Sequence, residues 1–280
     1  MRYPLGIIGA GNMAEAIVRG VLRAGQFRAD QIIACNDTAP RRDFFERELG
    51  VRAIESAAEV ARASDMLLLS VKPQSMQAVL NAIRGHVNQN TIVVSIAAGV
   101  TTKTIEDSLG IVEPNVIRAM PNTPLTLGAG ATAIASGAYA STDELKKARE
   151  LFEASSIVVE VRENQLDAVT ALSGSGPAYI FYLVEMMAEA GIKLGLKKEI
   201  AEQLARQTAY GAGLMLHQNP DSLEALRKKV TSPGGTTQAA IQSMQADNVD
   251  VAIIRALFKA RDRGRELSEG SLFNSPDILK

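Results

Sequence analysis

Over the first 160 residues, short unbroken apolar runs alternate with segments of helical periodicity. Leu5–Ile8, Ile32–Cys35, Met66–Val71 and Ile92–Ile96 are apolar at successive positions, as strands covered on both faces are. Between them, apolar positions fall at helical spacing over Met13–Ala24, Arg41–Leu49, Ala57–Ala63 and Gln74–Ile83. This alternation predicts a mostly parallel sheet with helices on both faces. Val116–Met120, Ala131–Ala135 and Ile157–Val161 read as further strands, and Asp143–Ala154 as a helix. Near Glu160–Glu163 the pattern changes. Glu163–Ser173, Ala178–Leu194, Glu199–Leu216, Ser222–Lys229, Thr237–Gln245 and Val249–Glu269 all read as helices. The expectation is therefore an α/β domain over 1–162, an all-helical domain over 163–270 and a mobile tail over 271–280. Ala178–Leu194 is apolar around most of its circumference, which predicts burial on more than one side, against a second subunit.

Composition narrows the chemistry. With 46% hydrophobic and 22% charged residues, the 280-residue chain is ordinary globular protein. A net charge of −1 gives no electrostatic case for nucleic acid or an anionic membrane. The single cysteine, Cys35, excludes an internal disulfide and a cysteine-based zinc site, and fits a reducing cytoplasm. Only His86 and His217 are histidines, so neither histidine acid–base chemistry nor a metal cluster is expected. The opening "MRYPLGIIGAGNMAEAIV" is broken by Asn12 and Glu15, and reads as strand, turn and helix rather than as a signal peptide. No apolar run reaches the ~18 residues of a membrane span.

The sharpest local motif is "GIIGAGNMAEA", in which Gly9, Gly11 and Ala14 keep G-x-G-x-x-A spacing between the first strand and the first helix. Gly9 permits the tight turn, Gly11 lets a pyrophosphate approach the backbone, and Ala14 lets helix and strand pack closely. In that context the motif predicts a Rossmann-type dinucleotide site, with phosphate at the helix N-terminus. At the end of the second strand stands Asn36, followed by Asp37, Arg41 and Arg42. Asn36 with the arginines suits the 2′-phosphate of NADP, whereas an inward Asp37 would suit NAD; the arginines read equally as a solvated helix face. NADPH is the expected cofactor, with NADH possible. "SVKPQS" places Lys72 beside the crevice and Pro73 at a helix start. "SIAAGV" offers small residues for a close-lying nicotinamide, and "RAMPNTP" a rigid wall.

Taken with "DAVTALSGSGPAY" and "VTSPGGTTQAAI", these blocks resemble the pyrroline-5-carboxylate reductases over about residues 4 to 270. The resemblance implies reduction of the C=N bond of 1-pyrroline-5-carboxylate to L-proline by NADPH, the last step of proline synthesis. It implies an N-terminal Rossmann domain and an all-helical dimerisation domain. It also implies a homodimer that can assemble further, as into a decamer, with the cofactor domain of one subunit completing a site with the partner's helical domain. By position, the cofactor residues would be Gly9, Gly11, Asn12, Met13, Asn36, Val71, Lys72, Pro73, Ala97 and Asn122. The substrate loop would be Ser232 to Thr237, with Ser232, Gly234, Gly235, Thr236 and Thr237 as contacts and Thr237 at the ring nitrogen. Glu163 matches a substrate-side acid. Ala57 and Lys229 stand where some members of the family have Asn.

The residues suit that chemistry. "TSPGGTT" combines backbone N–H groups at a helix start with three hydroxyls, a ready carboxylate site. Positioning of two reactants supplies much of the rate, so no strong protein acid is required. A plain capped turn, with Thr236 or Thr237 as N-cap, is the rival reading of the loop. For Glu163 the rival is a helix cap. For the whole chain the rivals are a β-hydroxyacid dehydrogenase, with Lys193 as its acid–base, and a non-catalytic dinucleotide sensor.

Overall fold

The computed structural model describes residues 2–270, with side chains as far as Glu266; the expected tail, 271–280, lies outside the described residues. The chain divides into two compact units, one of Met1–Ser175 together with the chain from Ala260 on, the other of Gly176–Lys259.

The first unit runs β1 (Tyr3–Ile8), α1 (Asn12–Arg23), β2 (Ile32–Cys35), α2 (Ala39–Leu49), β3 (Arg52–Ile54), α3 (Ala57–Ala63), β4 (Ser64–Leu69), α4 (Pro73–Ile83), β5 (Ile92–Ser95), α5 (Thr102–Leu109), β6 (Asn115–Met120), β7 (Gly130–Ser136), α6 (Thr142–Glu153), β8 (Ser156–Glu160) and α7 (Leu166–Val169). Its eight strands form one sheet in the order β3-β2-β1-β4-β5-β6-β7-β8. Every neighbouring pair is parallel except β6 and β7, whose antiparallel register sets Arg118 opposite Ala135. Strand order reverses between β1 and β4, and in open α/β sheets the crevice at that point, at the carboxyl ends of the strands, takes the ligand.

Side chains alternate across the sheet into two cores. Leu5, Ile7, Leu68 and Ile117 pack with Ile17 of α1, Phe45 of α2 and Phe152 of α6. Ile8, Leu67, Leu69 and Val116 pack on the other face with Val60 of α3, Leu80 of α4 and Ile105 of α5. Both faces are thus buried, which is why the strands read as unbroken apolar runs.

Two elements escape the sequence pattern. β3 is a three-residue edge strand whose burial alternates too briefly to register. The eight residues of α5 bury only Thr102, Ile105 and Leu109, and Thr101 caps them by accepting the Thr104 N–H at 3.1 Å. A third element differs in kind. Glu163–Ser173 is expected as one helix, but the chain makes a 3-10 turn at Glu163–Gln165, the single turn of α7, and a π segment at Thr170–Gly174. The wide turn is closed by Ser175 N–H donating to Thr170 O at 2.8 Å.

The second unit comprises α8 (Gly176–Lys193), α9 (Lys198–Gln218), α10 (Leu223–Lys229), α11 (Thr236–Ala246) and the first half of α12 (Val249–Gly270). α8 and α9 meet through small residues: Ala188, Ala201 and Ala205 are buried, and a Cβ on Gly191 would stand 3.2 Å from Ala201 Cβ. Outside that seam α8 leaves Ile180, Phe181, Tyr182 and Leu183 at least half exposed, on successive positions around the helix. Isolated apolar side chains on a surface are ordinary, but a run of this kind marks a surface that another protein covers. No helix among the described residues is long and apolar enough to cross a membrane.

Candidate functional site

At the carboxyl end of β1 the chain turns sharply under the crevice. Gly9 has φ +94°, and a Cβ there would lie 2.6 Å from Ser70 O and 2.7 Å from Val71 Cγ1, so only glycine fits. Gly9 and Ala10 N–H both donate to Cys35 O, at 3.0 and 3.2 Å, which ties the turn to β2. Gly11 is different. Its backbone is extended (φ −83°, ψ −172°), and a Cβ would meet no protein atom within 4 Å. It opens α1 with no side-chain cap, so the first-turn N–H groups and the positive helix end face that open space. Asn12 and Met13 are the first two helical residues, and Ala14 is fully buried against the strand. A helix start left without a capping side chain is the kind of position that receives anions.

The two arginines after β2 have separate tasks. Arg41 reaches back beneath the glycine turn: Nε donates to Ala10 O at 2.8 Å and Nη2 to Glu15 Oε2 at 3.0 Å, with the guanidinium 4.7 Å from the Phe44 ring centre. It is a brace for the turn. Burial raises the Glu15 carboxyl, but hydrogen bonds from Arg19 and Arg41 outweigh it and hold the group below its usual range. Arg42 instead wraps the end of β2, donating from Nη1 to Asn36 O at 2.7 Å and Asp37 O at 2.9 Å. Asn36 Nδ2 donates to Thr38 Oγ1 at 2.8 Å, and Asp37 is exposed. Cys35 beside them is buried, and burial pushes its thiol up to about 11.

The next strand ends supply the other side of the crevice. Val71 is half-buried against Gly9, and Lys72 is the exposed N-cap of α4, with Pro73 at its first position and no ion pair to Lys72 among the described residues. Ala97 is buried just past β5, its N–H held by Ser95 Oγ at 3.3 Å. Asn122, past β6, directs its amide inward: Nδ2 donates to Ser173 O at 3.1 Å, and Oδ1 accepts from Ala131 N–H at 2.9 Å. Its side chain braces the π segment against β7, which leaves chiefly the backbone for a ligand. Glu163 is held just as firmly. Oε1 accepts from Thr102 N–H at 2.6 Å and from Arg118 Nη1 at 3.0 Å, and Oε2 from Thr102 Oγ1 at 2.8 Å. The carboxylate expected at the substrate therefore caps α5 and pairs with a buried arginine.

In the second unit, Thr231–Gly235 joins α10 to α11. Gly234 has φ +72°, the left-handed region that favours glycine. Gly235, not a threonine, is the N-cap of α11. Thr236 and Thr237 are its first two helical residues, and neither they nor Ser232 has a side-chain hydrogen bond among the described residues. No side chain caps the helix; Gln238 Oε1 accepts the N–H of Gly234, the residue before the N-cap, at 2.5 Å. The capped-turn reading of the threonines is thus overturned. Their hydroxyls stand unengaged beside a helix N-terminus, with Thr236 exposed and Thr237 half-buried.

Comparison with known proteins agrees with this layout. Residues 163–267 match the family model for pyrroline-5-carboxylate reductase dimerisation, and residues 4–99 that for coenzyme F420-dependent NADP oxidoreductases. A pyrroline-5-carboxylate reductase of Synechocystis sp. is 41% identical over 96% of this chain and 100% of its own length. The chain belongs to the pyrroline-5-carboxylate reductase family. Among solved structures, the Coxiella burnetii pyrroline-5-carboxylate reductase superposes with a TM-score of 0.88 at 38% identity, covering 96% of this chain and 99% of that one. The Plasmodium falciparum pyrroline carboxylate reductase, solved with NADP bound, gives a TM-score of 0.84 at 26% identity over 95% and 98%.

For a reductase of this family the structure gathers Gly9, Gly11, Asn12, Met13, Asn36, Val71, Lys72, Pro73, Ala97 and Asn122 on the first unit, and Ser232 to Thr237 on the second. Glu163 belongs by its contacts to the first. Sequence reasoning missed Arg118 and Gln238. Arg118 hides in an apolar strand, where "VIRAM" gives no sign of its partner 45 residues on. Gln238 had a readable signal, standing three residues after the N-cap, where a Gln side chain reaches back.

Proposed function

We propose that the protein is an NADPH-dependent pyrroline-5-carboxylate reductase producing L-proline, with residues 1–162 serving the cofactor and 163–270 serving dimerisation and substrate. The observation that carries this reading is the α11 start, where a helix N-terminus and two threonine hydroxyls stand free because the N-cap is Gly235 and Gln238 bonds Gly234, outside the helix. Backbone N–H groups of Thr236 and Thr237 hold the substrate carboxylate, the Gly235 N–H being donated to Ser232 O at 3.1 Å. Thr237 Oγ1 hydrogen-bonds the ring nitrogen and orients the imine. When bound, the reduced nicotinamide supplies a hydride for the C=N carbon; the nitrogen gains a proton, from water or with the substrate as iminium, and a C–H and an N–H bond replace the π bond.

On the cofactor side, the α1 amides above Gly11 receive the pyrophosphate, and the small residues of Ser95–Val100 form the nicotinamide wall. Preference for NADPH over NADH rests on Asn36, rather than an acid, at the end of β2, with Arg42 folded onto it. Lys193, the acid–base that a hydroxyacid dehydrogenase would need, is exposed and paired with Glu189 at 2.6 Å. A homodimer is the functional unit, with a decamer as a further assembly, and a cytoplasmic location accords with the reduced, buried Cys35. The test is NADPH oxidation with pyrroline-5-carboxylate, repeated with NADH. Proline formed faster with NADPH supports the reading; turnover of a hydroxy acid with NADP⁺ and none of the pyrroline overturns it.

A further inference from the structure

The strongest polar cluster outside the dinucleotide turn lies behind the loop that follows β5. Loop 96–101 carries Ala97 and runs directly into Thr102, the first residue of α5. Thr102 is buried, and both its N–H and its hydroxyl are taken by one carboxylate, that of Glu163. Glu163 is fixed in turn by Arg118, whose side chain is 8% exposed and whose strand pairs Arg118 with Ser95, the last residue of β5. The chain 95–102 is therefore held at both ends, by the sheet at Ser95 and by the Arg118–Glu163 pair at Thr102. Glu106, one turn along α5, accepts the Ala138 N–H at 2.8 Å and makes no hydrogen bond to Glu163 among the described residues, where Arg118 is the ion-pair partner of Glu163. A desolvated pair of this kind is poor evidence for stability, since two apolar residues would often fold as well. It does give a fixed geometry, and here that geometry is the placement of a loop.

We propose that Arg118 is a positioning residue for the nicotinamide end of the cofactor, acting through Glu163 and Thr102 to set the wall formed by loop 96–101. The inference rests on the proposed function, which puts the nicotinamide against that loop. It separates the two ends of the cofactor. Gly9, Gly11 and Arg41, which form the pyrophosphate turn, make no hydrogen bond with the cluster, so the phosphate end keeps its site when Arg118 is changed. A displaced nicotinamide wall, by contrast, weakens the contacts that fix hydride geometry, and small misplacements there lower rates steeply.

The test compares two probes on the full-length protein: NADPH, and 2′-phospho-adenosine diphosphoribose, which lacks the nicotinamide. Arg118→Met is expected to weaken NADPH binding and lower kcat, each by about tenfold or more. The nicotinamide-free fragment is expected to bind Arg118→Met as it binds the wild type. Thr102→Val, which removes one hydroxyl and keeps the backbone bond, shifts the same ratio in the same direction by less, and serves where Arg118→Met does not fold. Glu163→Gln, whose amide oxygen still accepts from Thr102 N–H, retains more activity than Glu163→Ala. If the folded variants lose affinity for both probes equally, or keep both the affinity ratio and kcat, Arg118 is structural only and the inference fails. A wild-type protein that does not bind NADPH would overturn the proposed function and this inference with it.

Discussion

A single methyl group distinguishes the two glycines of the dinucleotide turn. Gly11→Ala adds it where the backbone is already extended and no protein atom lies within 4 Å of the new Cβ. Two small effects on folding then oppose each other. Alanine at a backbone it can adopt stabilises by about 0.4–1 kcal/mol through the unfolded chain. Alanine at an N-cap costs about the same. Net stability should stay within about 0.5 kcal/mol of the parent. Gly9→Ala is the control. Its φ of +94° costs an L-residue at least about 1–2 kcal/mol. The 2.6 Å approach to Ser70 O adds an overpacking penalty of about 1–3 kcal/mol. Urea unfolding of the apo-protein reads these values, and NADPH titration followed by its fluorescence reads binding. Gly11→Ala is expected to fold normally yet bind NADPH at least about tenfold more weakly, a loss of ~1.4 kcal/mol. Unchanged NADPH affinity in folded Gly11→Ala would refute the assignment of that space to the pyrophosphate.

Other consequences follow from charge and exposure. Burial, with Glu163 nearby, raises Glu106 above the usual carboxylate value of 4.5, so the charged form is a liability to the fold at neutral pH. That liability is relieved as pH falls through the raised value and is gone below 4.5. Glu106→Gln, whose amide oxygen can still accept from Ala138 N–H, should therefore be more stable than the parent at neutral pH. The difference should shrink on acidification in urea titrations, and a pH-independent difference would contradict this. Cys35, buried and with its thiol at about 11, should resist iodoacetamide in the native protein and react once urea unfolds it; rapid native alkylation would show an opening at the end of β2. Phe181 is 68% exposed in the single chain. Phe181→Asp should lower the sedimentation coefficient by splitting a dimer, and an unaltered value would place the dimer interface elsewhere.

Legibility in the sequence tracked the length of the pattern and the locality of the contact. β1, β2, β4 and β5 were readable because both faces of the sheet are covered, leaving no polar interruption in their apolar runs. β3 and α5 were not, because three and eight residues carry too few buried positions to set a period. The π segment is held from outside by Asn122, whose Nδ2 donates to Ser173 O at 3.1 Å, and that is a tertiary fact. Gly9, Gly11 and Ala14 were legible because they lie within six residues: φ +94° requires glycine at Gly9, close packing a small residue at Ala14, and the open space over Gly11 accords with a ligand. Glu163 was singled out, but its partners Arg118 and Thr102 lie 45 and 61 residues away, so its hold on α5 could not be read. The same holds for Arg41, which in sequence resembles a phosphate ligand and in the fold supports Ala10 O. At Thr236 and Thr237, capping chemistry pointed to the right helix end and the wrong residue, since Gly235 takes the cap.

The central claim is that the free hydroxyl of Thr237 serves an imine rather than a helix. Steady-state NADPH oxidation with pyrroline-5-carboxylate, on wild type and Thr237→Ala together, tests it most directly. The account predicts stoichiometric proline from the wild type. It predicts a fall in kcat/KM for the pyrroline of about 10²-fold in the variant, with NADPH affinity and unfolding midpoint unchanged. Equal turnover by the two proteins, or a lower unfolding midpoint as the variant's only change, would contradict it.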